Sequence, residues 1–202
     1  MSFLIDSLAN LTLKHTAEHQ YLCTICEWER LAYGEGFHRT PDVLHACADK
    51  NNTGFFLLIE NEELIGYIDI WQLASAYYAD LRLGNINEES LCSDFIRSSD
   101  DVPTYMWYVG SMIVSPKLRK ESPAKSSLVF TSLWNALPRF IKARAEFPSH
   151  LLGVGSSSFG QKLMTRCGFA PVTAAATAID LRPRYEAHIF QPSNVDKLFI
   201  GS

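Results

Sequence analysis

The residues with the plainest chemical signature lie between positions 105 and 169. An apolar run, Met106-Trp107-Tyr108-Val109-Gly110-Ser111-Met112-Ile113-Val114, stops at Ser115-Pro116, and a polar turn over residues 117–125 opens into a long helical pattern. A strand that feeds a small-residue turn at a helix N-terminus exposes backbone N–H groups and the positive end of a dipole. Phosphates bind to such arrangements. Further on, the short strand Leu151-Leu152-Gly153-Val154 leads into a second helix that closes on Cys167-Gly168-Phe169.

A second group with chemical potential is His15, His19, Cys23 and Cys26, whose spacings of four, four and three put them on one helical stripe. Pairs of these residues could ligate zinc. At ~1.5 Å rise per residue the stripe spans about 16 Å, so the four cannot share one ion. No second cluster completes a site, and no metal is expected. The Cys23/Cys26 pair also lacks the strand-to-helix setting of a redox motif. All five cysteines, an odd count without a compact framework, are expected to be reduced.

The order of strand, Val114-Ser115-Pro116, Arg119-x-x-Ser122-x-Ala124, helix, strand, helix, Gly168-Phe169 resembles the GNAT superfamily of acyl-CoA-dependent N-acetyltransferases. The match is close over the C-terminal half and elsewhere rests on element order. Ser122 stands where the family's motif has its first glycine, with Pro123 in the middle. The resemblance implies acetyl-CoA as co-substrate. It implies pantetheine lined by the main chain of Met112, Ile113 and Val114, and pyrophosphate surrounded by Arg119, Lys120, Glu121, Ser122, Pro123, Ala124 and Lys125. Aminolysis of a thioester needs a neutral amine, a stabilised oxyanion and a protonated leaving thiolate. The family's tyrosine position holds Met164, which cannot donate a proton, and its asparagine position holds Ser157. Tyr105, Tyr108, Ser157 or water must then supply the proton, with Tyr108 preferred. Asp69, Glu27, Glu29 and His38 are all open as bases, and Asp69 is expected at an exposed strand position because burying it unpaired would be costly.

Charge is distributed unevenly. Residues 1–103 hold six Lys/Arg against seventeen Asp/Glu, a balance of −11, whereas residues 104–190 hold eleven against four, a balance of +7. The basic half carries the phosphate turn, which suits coenzyme A; the alternative is that both sets are solvated surface. The net charge of −4 argues against a sequence-independent nucleic-acid binder. No apolar run approaches the roughly 20 residues of a membrane span, and the N-terminus makes a poor signal peptide. A cytoplasmic location is therefore expected.

The elements that must position these groups follow from periodicity. A short strand is expected at 11–14 and helices at 17–33 and 41–50, the latter with Thr40 as cap and Pro41 in its first turn. A hairpin joins 55–59 to 64–71. An insertion at 74–103 carries a helix at 76–83, a break at Gly84-Asn85, a second helix at 88–96, and acids that would favour cationic amines if it overhangs an acceptor cleft. A strand at 104–114 precedes a helix at 124–145 that buries Leu128, Leu133, Leu137, Phe140 and Ile141 and is kinked by Pro138. Strands are expected at 172–181 and 184–190, and a loose tail from 192. The expected fold is α/β, a single GNAT-like domain over 1–202 with a mixed, mostly antiparallel sheet flanked by helices. The function this implies is acetyl transfer from acetyl-CoA to a primary amine of a small molecule or peptide, without nucleic acid or membrane, and compatible with a homodimer. The alternatives are a non-catalytic acyl-CoA-binding module, or a transferase using a longer acyl-CoA or an acyl-carrier-protein donor.

Overall fold

A seven-stranded sheet in the order β1-β2-β3-β4-β5-β7-β6 carries the architecture. In the computed structural model, residues 4–7, 15–34, 39–98, 105–144, 147–189 and 191–199 are described. The strands are β1 (Leu4–Ser7), β2 (Phe55–Glu60), β3 (Glu63–Gln72), β4 (Met106–Val114), β5 (Ser149–Val154), β6 (Ala170–Val172) and β7 (Arg184–Ile189). Among the described residues only the β4–β5 pair is parallel; the other neighbours are antiparallel. Helices α1 (His15–Tyr33), α2 (Pro41–Lys50) and α3 (Ser75–Leu83) pack on one face, and α5 (Pro123–Arg144), α6 (Ser158–Arg166) and α7 (Pro192–Phe199) on the other, while α4 (Pro116–Glu121) joins β4 to α5. The mixed sheet flanked by helices is the fold class expected from the element order.

Strand alternation explains the two cores. Tyr67 and Trp71 of β3 face the α1–α3 side, and Ile68 and Ile70 face the α5 side. On β4 the alternation slips by one residue. Trp107 and Val109 face α5, and so do Met112 and Val114. The slip is a β-bulge: Ile68 pairs with Met112 but Ile70 with Val109, so Gly110 and Ser111 together oppose Asp69.

Several elements differ from expectation. Residues 11–14 lie outside the described residues, and the first described strand is β1. The helix expected at 88–96 is instead two 3-10 turns, Glu88–Ser90 and Ser93–Phe95. Two interactions compete with helix there: the Asn87 side chain accepts from the N–H and hydroxyl of Ser90, and the backbone of 95–97 bonds back to 72–74. The polar turn at 117–125 contains helix α4, capped by the Ser115 hydroxyl. On α5, Val129 rather than Leu128 faces the core, in line with Leu133, Leu137 and Ile141; Leu128 is exposed and Phe140 only half-buried. The strand expected at 172–181 stops at Val172, because the N–H groups of Ala175, Ile179 and Asp180 bond to Leu83 and Gly84 at the end of α3 rather than to the sheet. From Pro192 the chain forms α7, and Val195 is fully buried in the α5-side core.

Candidate functional site

The bulge also marks the place where β4 leaves β5. Their parallel pairing runs from Met106↔His150 to Val109↔Gly153 and ends there, and β4 continues through Gly110–Val114 without a β5 partner. The divergence opens a slot of about 90 Å³ walled by Gly110 and Met112 of β4, Phe130 and Trp134 of α5, and Phe159 and Met164 of α6. Met164, the residue at the tyrosine position of the motif, is buried against the bare backbone of Gly153: a Cβ there would lie 2.6 Å from its Cε. On the other side of the sheet end lies an open cavity of about 670 Å³, lined in part by Asn87, Glu89, Asp180 and Arg182. Two residues, Tyr33 and Ser156, line both the slot and the cavity.

The bulge is held by a buried polar network. Asp69 accepts the Ser111 N–H at 2.8 Å, and Arg39 donates to Asp69 at 2.8 Å and to the Ser111 hydroxyl at 3.1 Å. Arg39 also forms a two-pronged pair with Glu29, which accepts from the Tyr67 hydroxyl at 2.6 Å. Asp69 is thus fully buried and paired, not at an exposed strand position. Burial pushes its carboxyl up to about 6 against the opposing pull of Arg39. Arg39 ties α1, β3 and β4 together, and one buried cation facing two buried carboxylates satisfies charges that would be costly alone. Asp69 and Glu29, both open as bases from sequence, are therefore committed to this network. Glu27 is exposed on α1, and His38 lies outside the described residues.

A second network joins the two clefts. Glu88, buried in the insertion, accepts from the Tyr108 hydroxyl, from Ser156 Oγ at 3.2 Å and from Arg182 Nη1 at 2.7 Å. Burial raises its carboxyl above the usual range, although Arg182 and the hydrogen bonds from Tyr108 and Ser156 oppose the rise. Arg182 is fastened by Asp180 with contacts of 3.0 and 2.8 Å, and Asp180 by Arg184 at 2.8 Å. The Tyr33 hydroxyl hydrogen-bonds Ser111 between the networks; burial, with the nearby carboxylates, raises its pKa, so it keeps its proton through the neutral range.

Tyr108, preferred from sequence as proton donor, is buried with its hydroxyl on Glu88 and lines neither cleft. Ser157 lines the slot, where its hydroxyl accepts the Gly160 N–H and caps α6. Tyr105 is exposed at the start of β4. Of the proposed pyrophosphate residues, Arg119 and Ser122 spend their N–H groups on Ser115 and Leu118, and Pro123 has none. The Lys125 ammonium pairs with Glu60, while Arg119 and Lys120 remain exposed on α4. Tyr33 and Ser156, which line both clefts, and Arg182, which lines the cavity, were not among the candidates expected from sequence. Glu88 counted there only as one of the insertion's acids, and no local pattern marks any of the four.

Neither a protein-family model nor any curated protein sequence matches the chain. Solved structures do match by fold. A GNAT-family acetyltransferase from Staphylococcus aureus Mu50 is 12% identical with a TM-score of 0.54, the match covering 93% of this chain and 99% of that one. The NatC complex bound to Gag peptide and CoA is 10% identical with a TM-score of 0.54, covering 95% and 99%. The CoA-dependent acyl-homoserine lactone synthase BjaI, with SAM and isopentyl-CoA, is 13% identical with a TM-score of 0.55, covering 96% and 85%. At these identities the likeness is one of fold: the chain has the GNAT fold.

Proposed function

We propose that this GNAT-fold chain transfers an acyl group, acetyl in the first instance, from acyl-CoA to an amine. The observation that carries the proposal is the meeting of the slot and the cavity at Tyr33 and Ser156, where β4 leaves β5. The thioester lies in the slot beside Gly110 and Met112, with pantetheine running on along the main chain of Ile113 and Val114, and the acceptor enters from the cavity. The amine attacks the thioester carbonyl, forming the new C–N bond. Collapse of the tetrahedral intermediate breaks C–S, and the thiolate takes the Tyr33 proton. The proton lost by the amine passes to Ser156 Oγ as that hydroxyl hands its own to Glu88. Phosphate charge is met by Arg119 and Lys120 on α4 and by the start of α5, whose N-terminal dipole end favours anions.

The test is thiol release from acetyl-CoA, longer acyl-CoAs and an acyl-carrier-protein thioester across a panel of small amines and peptide N-termini. Amine-dependent release with a short acyl group is the expected result. CoA binding without turnover on any acceptor would overturn the proposal.

A further inference from the structure

At the far end of β5 from the slot, a cluster unrelated to acyl transfer bridges two strands. His150 on β5 stands directly opposite His188 on β7, and Glu186 lies two residues from His188 on the same face. Among the described residues this is the one group of three metal-ligating side chains whose donor atoms all lie within 4.8 Å of one another. We infer that His150, Glu186 and His188 form a binding site for a divalent transition metal of the zinc class, fastening β5 to β7.

The geometry comes close to what the ion requires. Zinc bonds of about 2.0–2.2 Å in a tetrahedron set ligand atoms about 3.3–3.6 Å apart. His150 Nδ1 lies 3.5 Å from Glu186 Oε1, and His188 Nε2 lies 3.2 Å from Glu186 Oε2. The two distances run to different oxygens of the carboxylate, and the three donor atoms lie within 4.8 Å of one another, so a gap remains between the imidazoles and a shared ion. Both rings can turn to close it, since their side chains are 34% and 49% exposed, and the same exposure lets water complete the coordination. Glu186, by contrast, is buried and held in place. The Tyr78 hydroxyl donates to its Oε1 at 2.7 Å, the kind of outer contact that orients a ligating carboxylate, while Arg82 Nε occupies Oε2 at 3.0 Å. Arg82 is the charge opposing the metal. Its side chain is 39% exposed, so it can yield Oε2 and turn to water. Two imidazoles and a carboxylate suit zinc and its neighbours rather than magnesium or calcium.

The site is tested on the full chain, free of any acyl donor, by titrating Zn²⁺ against a competing chelator and by recording Co²⁺ absorption. The expected result is one tight ion per chain, at least tenfold weaker in His150→Ala and in His188→Ala. Both positions are partly exposed, so metal-free melting of the variants should match wild type. Arg82→Gln, which removes the competing cation, should tighten binding. The Co²⁺ spectrum should show ligand-field bands without a thiolate charge-transfer band. Zn²⁺ affinity unchanged in both histidine variants, no Zn²⁺ bound by wild type, or a thiolate band placing the ion on a cysteine would each overturn the inference.

Discussion

Tyr33 and Ser156 are reached from both clefts, so the two sides of the proposed reaction depend on one hydroxyl each. Tyr33→Phe keeps the ring and its packing while removing the only proton it can give. The transfer rate should fall by roughly 10²–10⁴-fold, the usual cost of losing a positioned acid, with CoA affinity unchanged in a binding titration. Glu88 offers a different readout. It can take the acceptor's proton only when ionised, so kcat/KM should fall on acidification as Glu88 protonates, with a midpoint above that of an ordinary glutamate because burial raises it. Arg182 pulls that carboxyl down. Arg182→Gln should therefore raise the carboxyl further and move the acid limb of the kcat/KM profile to higher pH; a limb that stays put or moves to lower pH would remove Glu88 from the proton path.

The bulge in β4 and the short helix after it set what the slot can hold. Gly110 has no special backbone angle to satisfy; what it lacks is a Cβ, which would sit 1.8 Å from Asp69 Oδ1. Asp69 cannot retreat, because Arg39 and the Ser111 N–H hold both of its oxygens. Gly110→Ala should therefore cost several kcal/mol, in the range of a broken buried ion-pair network, visible as a large drop in melting temperature or loss of soluble protein. Helix α4 changes how phosphate would be met. Ser122 sits at φ −149°, open to any residue, so glycine there would relieve no strain. With the Arg119 and Ser122 N–H groups spent inside the helix, charge on side chains matters more. Arg119→Ala should weaken CoA binding roughly fivefold, the order of 1 kcal/mol for an exposed ion pair, and the loss should shrink at high salt when followed by titration.

The molecule as a whole is a sheet closed on both faces, and α7 completes the second closure. Val195 is fully buried among residues of the α5-side core. Val195→Ala should cost about 2 kcal/mol, the scale of burying a valine side chain, and lower the melting temperature by about 4–8 °C for a chain of this size. Scanning calorimetry would check it; a melting temperature unchanged within a degree would mean that α7 does not seal the core. The uneven charge also takes shape here. Glu88 and Glu89 of the acidic half come to the cavity beside Asp180 and Arg182 of the basic half, so the cavity mixes both signs.

Local signals were enough for much of the fold. Thr40-Pro41 started α2, the polar tip between two apolar runs made the β2–β3 hairpin, and Ser157 capped α6, because caps, turns and alternation act over a few residues. The apolar run from Met106 to Val114 likewise named the strand that builds the slot. What those signals could not carry was anything set by distant partners. Asp69 looked exposed because its counter-charge, Arg39, lies 30 residues away. Residues 88–96 and 173–181 looked regular because the backbone groups that claim them, at the ends of β3 and α3, are apart in the chain. Tyr33, Glu88, Ser156 and Arg182 carry no shared motif. Only the splay of β4 from β5 and the return of the insertion onto that end bring a tyrosine, a carboxylate, a serine and an arginine from four separate segments to one place.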